Sequence, residues 1–461
     1  MSKTAETLQL LRDYESRNVL FTEADGSWPI VWEKAKGVHV WDAEGKKYLD
    51  LTAAFGVAAA GHANSRVVEA GQKQMSTLLH AMGDVHPHSR KAELARELSR
   101  VTFERWTTPA GPEIRGSGLE LWSRESPPPN PKPETQNAKP QTGKTIFCNS
   151  GFEAVEAALK TAILATSRHG VIAFHGGYHG LGYGTLNATH REHFCGPFKM
   201  QLKEFGHFVQ FPSKPADLAV VELLIRRLFQ RGWIGAILVE PVQARGGINI
   251  PPPEFLPMLR RLCDEHKALL VLDEIYTGFG RTGKWFACEH SGVIPDVICL
   301  GKALTGGFPL SACVGRAEIM DAAWPASHGE AIHTSTYLGH PVGCAMALAQ
   351  IAEIESGELP ERSAKLGEVL LQWLEALISN PKLQIRSRGR GLMAGVELRL
   401  PNGEPATEAA IHAIKAMLQR GFILLPEGEH SNVISFTPPL TISKTQLGEA
   451  VAALADILKH E

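Results

Sequence analysis

"LLVLDEIYTGFGRTGKWFACEHSGVIPDVICLGKALTGGFPL", residues 269–310, contains two short apolar runs, "LLVL" and "VICL". Asp273 closes the first, and Lys302 follows the second after one glycine. Runs this short, rich in Val, Ile and Leu and apolar on both faces, read as strands buried on both sides of a parallel sheet. Outward from this stretch, similar runs recur at "KTIFCNS" (144–150), "GVIAFHG" (170–176) and "GAILVEP" (235–241). Helical patterns separate them, "FEAVEAALKTAILATS" after the first and "EFLPMLRRLCDEHK" before "LLVL". This alternation predicts an α/β fold with a helix-covered, mainly parallel sheet.

At 461 residues the chain is expected to form more than one domain. We assign 77–340 to a large α/β domain and 341–461 to a smaller α+β domain. In the latter, Leu366, Val369, Leu370, Trp373 and Leu377 share one helical face, and Ile411, Ile414 and Leu418 another. Strand-like "GLMAGVELRL" (391–400) and "NVISFTP" (432–438) accompany them. Residues 1–76 form an N-terminal segment packing with the small domain, and its "VHVWDAEGKKYLDL" reads as a hairpin turning at Ala43-Glu44-Gly45. The stretch 107–143, with eight prolines and almost no apolar periodicity, reads as an exposed insertion.

Lys plus Arg (47) nearly balances Asp plus Glu (49), so no global field favours nucleic acid or an anionic membrane, and small molecules are the expected partners. Seven cysteines without a CxxC pair fit reduced thiols, the N-terminal residues lack a signal pattern, and no apolar run approaches membrane length. A cytoplasmic protein is expected.

Lys302 is the only charged side chain between residues 297 and 315. A lone lysine often snorkels to the surface; if buried, its pKa falls, and the neutral amine can form a Schiff base with a carbonyl cofactor. Pyridoxal phosphate would also need an acid facing its pyridine nitrogen, and Asp273 stands at a strand's carboxyl end, where open α/β sheets bind ligands. It would need N–H donors for phosphate at a helix start, which "CNSGFEAVEAALK" offers: Ser150 as cap, Glu153 completing a capping box, Gly151 permitting close approach. In "FHGGYHGLGYG" (174–184), Tyr178 can stack on a flat ring. His175 and His179 are alternative zinc ligands, but no third ligand accompanies them and no metal is expected. Taken singly, each of these residues has an ordinary structural role.

Together with "VEPVQARGG", "HTSTYLGHPVGCAMAL" and "SFTPPL", these stretches resemble the class III (subgroup II) aminotransferases of fold type I, which act with pyridoxal phosphate. The likeness runs from about residue 30 to the C-terminus, apart from the insertion. It implies that Lys302 is the Schiff-base lysine and catalytic base and that Asp273 holds the pyridine nitrogen. Tyr178 and Ile275 would sandwich the ring, with Gln243 near its phenolic oxygen. Gly151 and Phe152 would offer N–H groups to the phosphate beside Ser150, and Thr336 would add its hydroxyl from the neighbouring subunit of a homodimer. The implied reaction is a ping-pong transfer of an amino group from an amine or ω/β-amino acid donor to an oxo acid or aldehyde. An aminomutase or decarboxylase of the same fold is the alternative.

Departures from the family pattern fall at Phe152, where a serine is usual, and at Tyr276, where a glutamine is frequent. Two more concern substrate: Ser435 stands where an arginine commonly binds the α-carboxylate, and Arg245 where a glutamate pairs with that arginine. They read either as independent drift, with Arg245 pointing to solvent, or as a positive charge moved across the pocket, and the second is expected. A rival reading takes "GFGRTGKW" (278–285) as the P-loop of an ATPase, but Trp285 replaces the Ser or Thr that would ligate magnesium.

Overall fold

The computed structural model describes residues 2–23, 26–108, 140–376 and 382–460. Its largest sheet has seven strands: β1 (Gly143–Cys148), β2 (Gly170–Phe174), β3 (Gly206–Val209), β4 (Ile234–Val239), β5 (Leu269–Asp273), β6 (Val297–Leu300) and β7 (Ser311–Arg316). The order is β1-β7-β6-β5-β4-β2-β3. The pairs from β3 through β6 are parallel, while β7 runs antiparallel to both β6 and β1. β4, β5 and β6 are buried along their whole length. Side chains such as Leu272 and Ile298 are fully covered, and each contributes about 1.5–3 kcal/mol relative to exposure.

Two strands escape the sequence reading. "GHFV" at β3 lies at the sheet edge with only Val209 buried, and β7, "SACVGR", is built from small residues with a weak hydrophobic signal. β1, read as buried on both faces, is the opposite edge and only half-buried.

Helix α1 (Gly151–Thr166) joins β1 to β2 and buries Ala154, Ala157, Ala158 and Ala162, whose short side chains let it lie close to the sheet. Helix α2 (Phe255–His266) precedes β5 and ends where Lys267 adopts a left-handed φ of +52°. The N-terminal hairpin forms as predicted, pairing Val40 with Tyr48, with the Gly45 N–H bonded to the Asp42 carbonyl at 2.9 Å. Its second strand, Lys47–Asp50, pairs in parallel with Phe422–Ile423.

A separate antiparallel sheet contains Gln384–Gly389, Ala394–Arg399, Leu425–Glu427 and Val433–Phe436. Helix Leu359–Glu375 buries Ser363, Gly367, Leu370 and Leu374, so its buried stripe is rotated from the predicted one, with Leu366 and Trp373 at the margin. Among the described residues no helix is long and apolar enough to cross a membrane. Most of the predicted insertion, 109–139, lies outside the described residues, as does Leu377. The insertion's flanks meet where the Gln141 N–H donates to Thr107 Oγ1 at 2.8 Å.

Candidate active site

Parallel pairing of β5 with β6 places Asp273 opposite Cys299, so the carboxyl ends that carry Asp273 and Lys302 lie side by side. Lys302 opens a one-turn 3₁₀ helix, Lys302–Leu304, with φ +41°, a strained value for a residue with a side chain. Lys302 keeps some exposure. The surrounding protein nevertheless desolvates its amine and draws the pKa below the ordinary lysine value, against the opposing pull of Asp273, Glu240 and Glu427.

Asp273 Oδ2 lies 2.8 Å from His179 Nδ1, and Oδ1 accepts the Ile275 N–H at 3.1 Å. Burial lowers the His179 pKa, but the Asp273 hydrogen bond and charge outweigh it and the net shift is upward. His179 is thus committed to Asp273, and among the described residues no group of three or more His, Cys, Asp or Glu is placed to hold a metal. The next residue along the chain serves the scaffold: Glu274 accepts the N–H groups of Ala287 and Cys288 at 2.9 and 2.8 Å.

The Tyr178 N–H donates to Glu240 Oε1 at 3.0 Å, and the Ala244 N–H donates to Oε2 at 3.1 Å. Burial pushes Glu240 up to about 7. Ile275 packs between Gly301, which precedes Lys302, and Gly151 at the start of α1. A Cβ on Gly151 would stand 3.0 Å from Ile275 Cδ1, and one on Gly301 3.3 Å from its Cγ2, so two glycines make room for this side chain.

At the start of α1, Glu153 Oε2 accepts the N–H groups of Asn149 and Ser150 at 2.8 and 2.7 Å, completing its half of the predicted box. The Ser150 hydroxyl also turns to Glu153, at 3.3 Å. Among the described residues the N–H groups of Gly151 and Phe152 make no hydrogen bond, leaving two donors at a helix N-terminus. Phe152 lies against the glycine loop, where a Cβ on Gly180 or Gly182 would come within 2.3 or 2.5 Å of its side chain.

Other predicted residues are engaged elsewhere. The Gln243 amide donates to the His175 carbonyl at 2.8 Å, and its oxygen accepts from Asn249 at 3.1 Å. Ser435 is buried, and its hydroxyl donates to the Leu425 carbonyl at 3.0 Å. Thr336 lies exposed in a turn ahead of helix α3 (Pro341–Ser356). "GFGRTGKW" leads only to the short 3₁₀ turn Ala287–His290, and Lys284 Nζ donates to the Glu289 carbonyl at 3.0 Å, so no phosphate-binding helix follows.

Arg245 forms an ion pair with Glu427 at 3.2 Å, and its guanidinium carbon stands 6.0 Å from the Tyr178 ring centroid. Arg191 donates to the Arg245 carbonyl at 2.7 Å. Burial holds Glu427 above the usual carboxylate range, opposed by Arg245 and Arg191. Sequence reasoning missed Glu427, Arg191 and Glu240. "VEP" carried Glu240 within a quoted motif, whereas Glu427 has no motif around it.

The model of the family described as Aminotransferase class-III matches residues 21–109 and 128–458. The chain belongs to the class III aminotransferases. It is 35% identical to 5-aminovalerate aminotransferase DavT of Pseudomonas aeruginosa over 99% of each chain. To putrescine aminotransferase of Pectobacterium atrosepticum it is 34% identical, over 98% of this chain and 88% of that one. An amine transaminase from an uncultivated Pseudomonas species, solved with pyridoxal phosphate bound, superposes with a TM-score of 0.81 at 26% identity, over 97% of this chain and 98% of that one. This class III aminotransferase is therefore a fold-type I enzyme acting with pyridoxal phosphate.

The donor set fits that cofactor. A desolvated amine, an oriented carboxylate, an aliphatic side chain between them and a helix start, and two unused N–H donors occupy the ends of adjacent elements. When bound, pyridoxal phosphate supplies an electron sink for the pair left on carbon as a proton departs.

Proposed function

We propose that this aminotransferase takes the amino group of an amine or of an ω- or β-amino acid and delivers it to an oxo acid or aldehyde in a ping-pong sequence. Lys302 bonds the cofactor and moves the proton of the donor carbon. Its lowered pKa supports this, because the lower the pKa the larger the share of neutral amine able to accept a proton. Asp273 faces the pyridine nitrogen, oriented by the His179 bond at 2.8 Å. Tyr178 and Ile275 flank the ring. Gly151 and Phe152 donate to the phosphate, with Ser150 supporting the turn through Glu153. Gln243 sits near the phenolic oxygen, its amide also donating to the His175 carbonyl at 2.8 Å.

Residues 77–340 form the cofactor domain, flanked by 1–76 and the small domain 341–461. The enzyme works as a homodimer in the cytoplasm, the partner subunit's Thr336 completing the phosphate site. Support for the dimer comes from exposed Leu79, Met82, Val85, Ile332 and Tyr337. They lie on two segments joined by the Thr334–Asp84 hydrogen bond and the contact of His80 with Tyr337. All seven cysteines are free thiols, as the cytoplasmic reading requires.

The observation that carries the substrate reading is the guanidinium of Arg245 beside Tyr178, set against a Ser435 hydroxyl committed to the Leu425 carbonyl. A guanidinium holds a carboxylate through paired charge-assisted hydrogen bonds worth about 1.5–3 kcal/mol each. Arg245 thus receives the carboxylate of the oxo acid, and ordinary α-amino acids are poor donors. The 5-aminovalerate and putrescine relatives, named for substrates with a terminal amine, support the same class. To test this, each half-reaction is measured separately for Arg245→Ala. The oxo-acid half-reaction is expected to weaken at least tenfold in kcat/KM while a simple amine is unaffected. An unaffected oxo acid, or a wild-type preference for α-amino donors, overturns the assignment.

A further inference from the structure

The Tyr276 ring centroid lies 4.4 Å from Lys302 Nζ, inside the ~6 Å over which an aromatic face attracts a cation. The ring is held on several sides. Its hydroxyl meets Thr437 Oγ1 at 3.2 Å, and that Oγ1 donates to the Thr52 carbonyl at 3.2 Å, so the threonine proton is already used and the phenol is the donor. Val242, Ala244, Ile248 and Met393 form an apolar cluster with it. Gly56, at φ +81°, leaves the remaining space, since a Cβ there would stand 3.0 Å from Tyr276 Cε1.

These restraints fix the ring in front of the lysine. Burial pushes the phenol up to about 12, so it stays neutral at working pH and neither gives nor takes a proton. What it offers Lys302 is the negative face of its π system.

We infer that Tyr276 is a positioning residue whose ring holds the Lys302 amine whenever that amine is not bonded to the cofactor, favouring the protonated form. The inference rests on the reading of Lys302 as the proton carrier. Once displaced by a donor amine, Lys302 must take a proton from the donor carbon and pass it on to a different atom, on a flexible four-carbon stem with many rotamers. The ring restricts that stem to one side of the pocket and stabilises the ammonium formed when the proton arrives. The same proton leaves Lys302 at the next step, so nothing is consumed.

The test is the titration of Lys302 in cofactor-free enzyme, read by competitive acetylation across pH with peptide mass spectrometry. Wild type is compared with Tyr276→Phe, which keeps the ring, and Tyr276→Met, which fills similar volume without a π face. The midpoint is expected to fall by roughly 0.4–1.5 pH units in Tyr276→Met and to stay near wild type in Tyr276→Phe. In single turnover with an amine, the Met variant should lose rate constant with donor binding unchanged, and Phe should recover the rate. Thermal melting accompanies each variant, with Tyr276→Leu replacing Met if Met fails to fold. Equal midpoints in wild type and the ring-less variant overturn the inference, as does a Phe variant that shifts as far as Met. If the purified protein takes up no pyridoxal phosphate, the cofactor reading fails, and the cofactor-free titration still decides whether the ring holds the amine.

Discussion

On the floor of the site, Asp273 accepts two hydrogen bonds, from His179 at 2.8 Å and from the Ile275 N–H at 3.1 Å, and Lys302 rests against Tyr276. At the Arg245 side, by contrast, Glu427 is 2% exposed and its Oε2 meets Arg245 in a single ion pair at 3.2 Å. A buried carboxylate is costly unless fully bonded. The two regions therefore have different tasks. The floor is held by several partners, whereas Glu427 is tied to Arg245 by one ion pair, the contact that the proposed oxo-acid carboxylate would replace.

The contrast is most exposed to failure at Asp273. Asp273→Asn retains the shape and the contact with His179 but removes the negative charge proposed to face the pyridine ring. Cofactor should still bind while turnover falls roughly a thousandfold, the scale on which losing one electrostatic partner of a transition state acts. Near-normal turnover in a single-turnover assay would place the floor's importance in packing alone.

A smaller effect is expected at Glu427, and its sign follows from the raised pKa. Because the folded value lies above the unfolded one, the stability contribution of the protonated group is present at low pH and is lost as pH rises through the folded pKa. Wild-type melting temperature should therefore decline, relative to Glu427→Gln, as pH rises from acid toward that value. In the same range, acidification neutralises Glu427 and frees Arg245, so the oxo-acid KM should fall as pH falls in wild type and stay flat in Glu427→Gln. Parallel profiles for the two proteins would mean that Glu427 does not gate Arg245.

Asp273 and Lys302 were legible because each stands at the end of a strand that announces itself. "LLVL" and "VICL" read as buried strands, so Asp273 and Lys302 are each expected at a strand's end, and the parallel pairing of β5 with β6 then sets those ends side by side. The α1 start was equally visible through Glu153, although the direction of the Ser150 hydroxyl was not. Glu427 was illegible because its meaning lies in a contact with Arg245 that strand pairing far along the chain creates, and "LPEGEH" carries no local pattern. Likewise β7 combines Ser, Ala, Cys and Gly, whose burial depends on tertiary packing rather than hydrophobicity. Tyr276 was visible as a departure from the family pattern, but the face it turns to Lys302 was not.

The account turns on whether Lys302 is the residue bonded to the cofactor. The direct measurement is borohydride reduction of the yellow holoenzyme followed by peptide mass spectrometry, alongside Lys302→Ala treated in the same way. The expected result is a pyridoxyl mass increment on the peptide containing Lys302, with neither label nor transamination in Lys302→Ala and a melting temperature close to that of cofactor-free wild type. An increment on a different lysine, or labelling that persists in Lys302→Ala, would contradict the account.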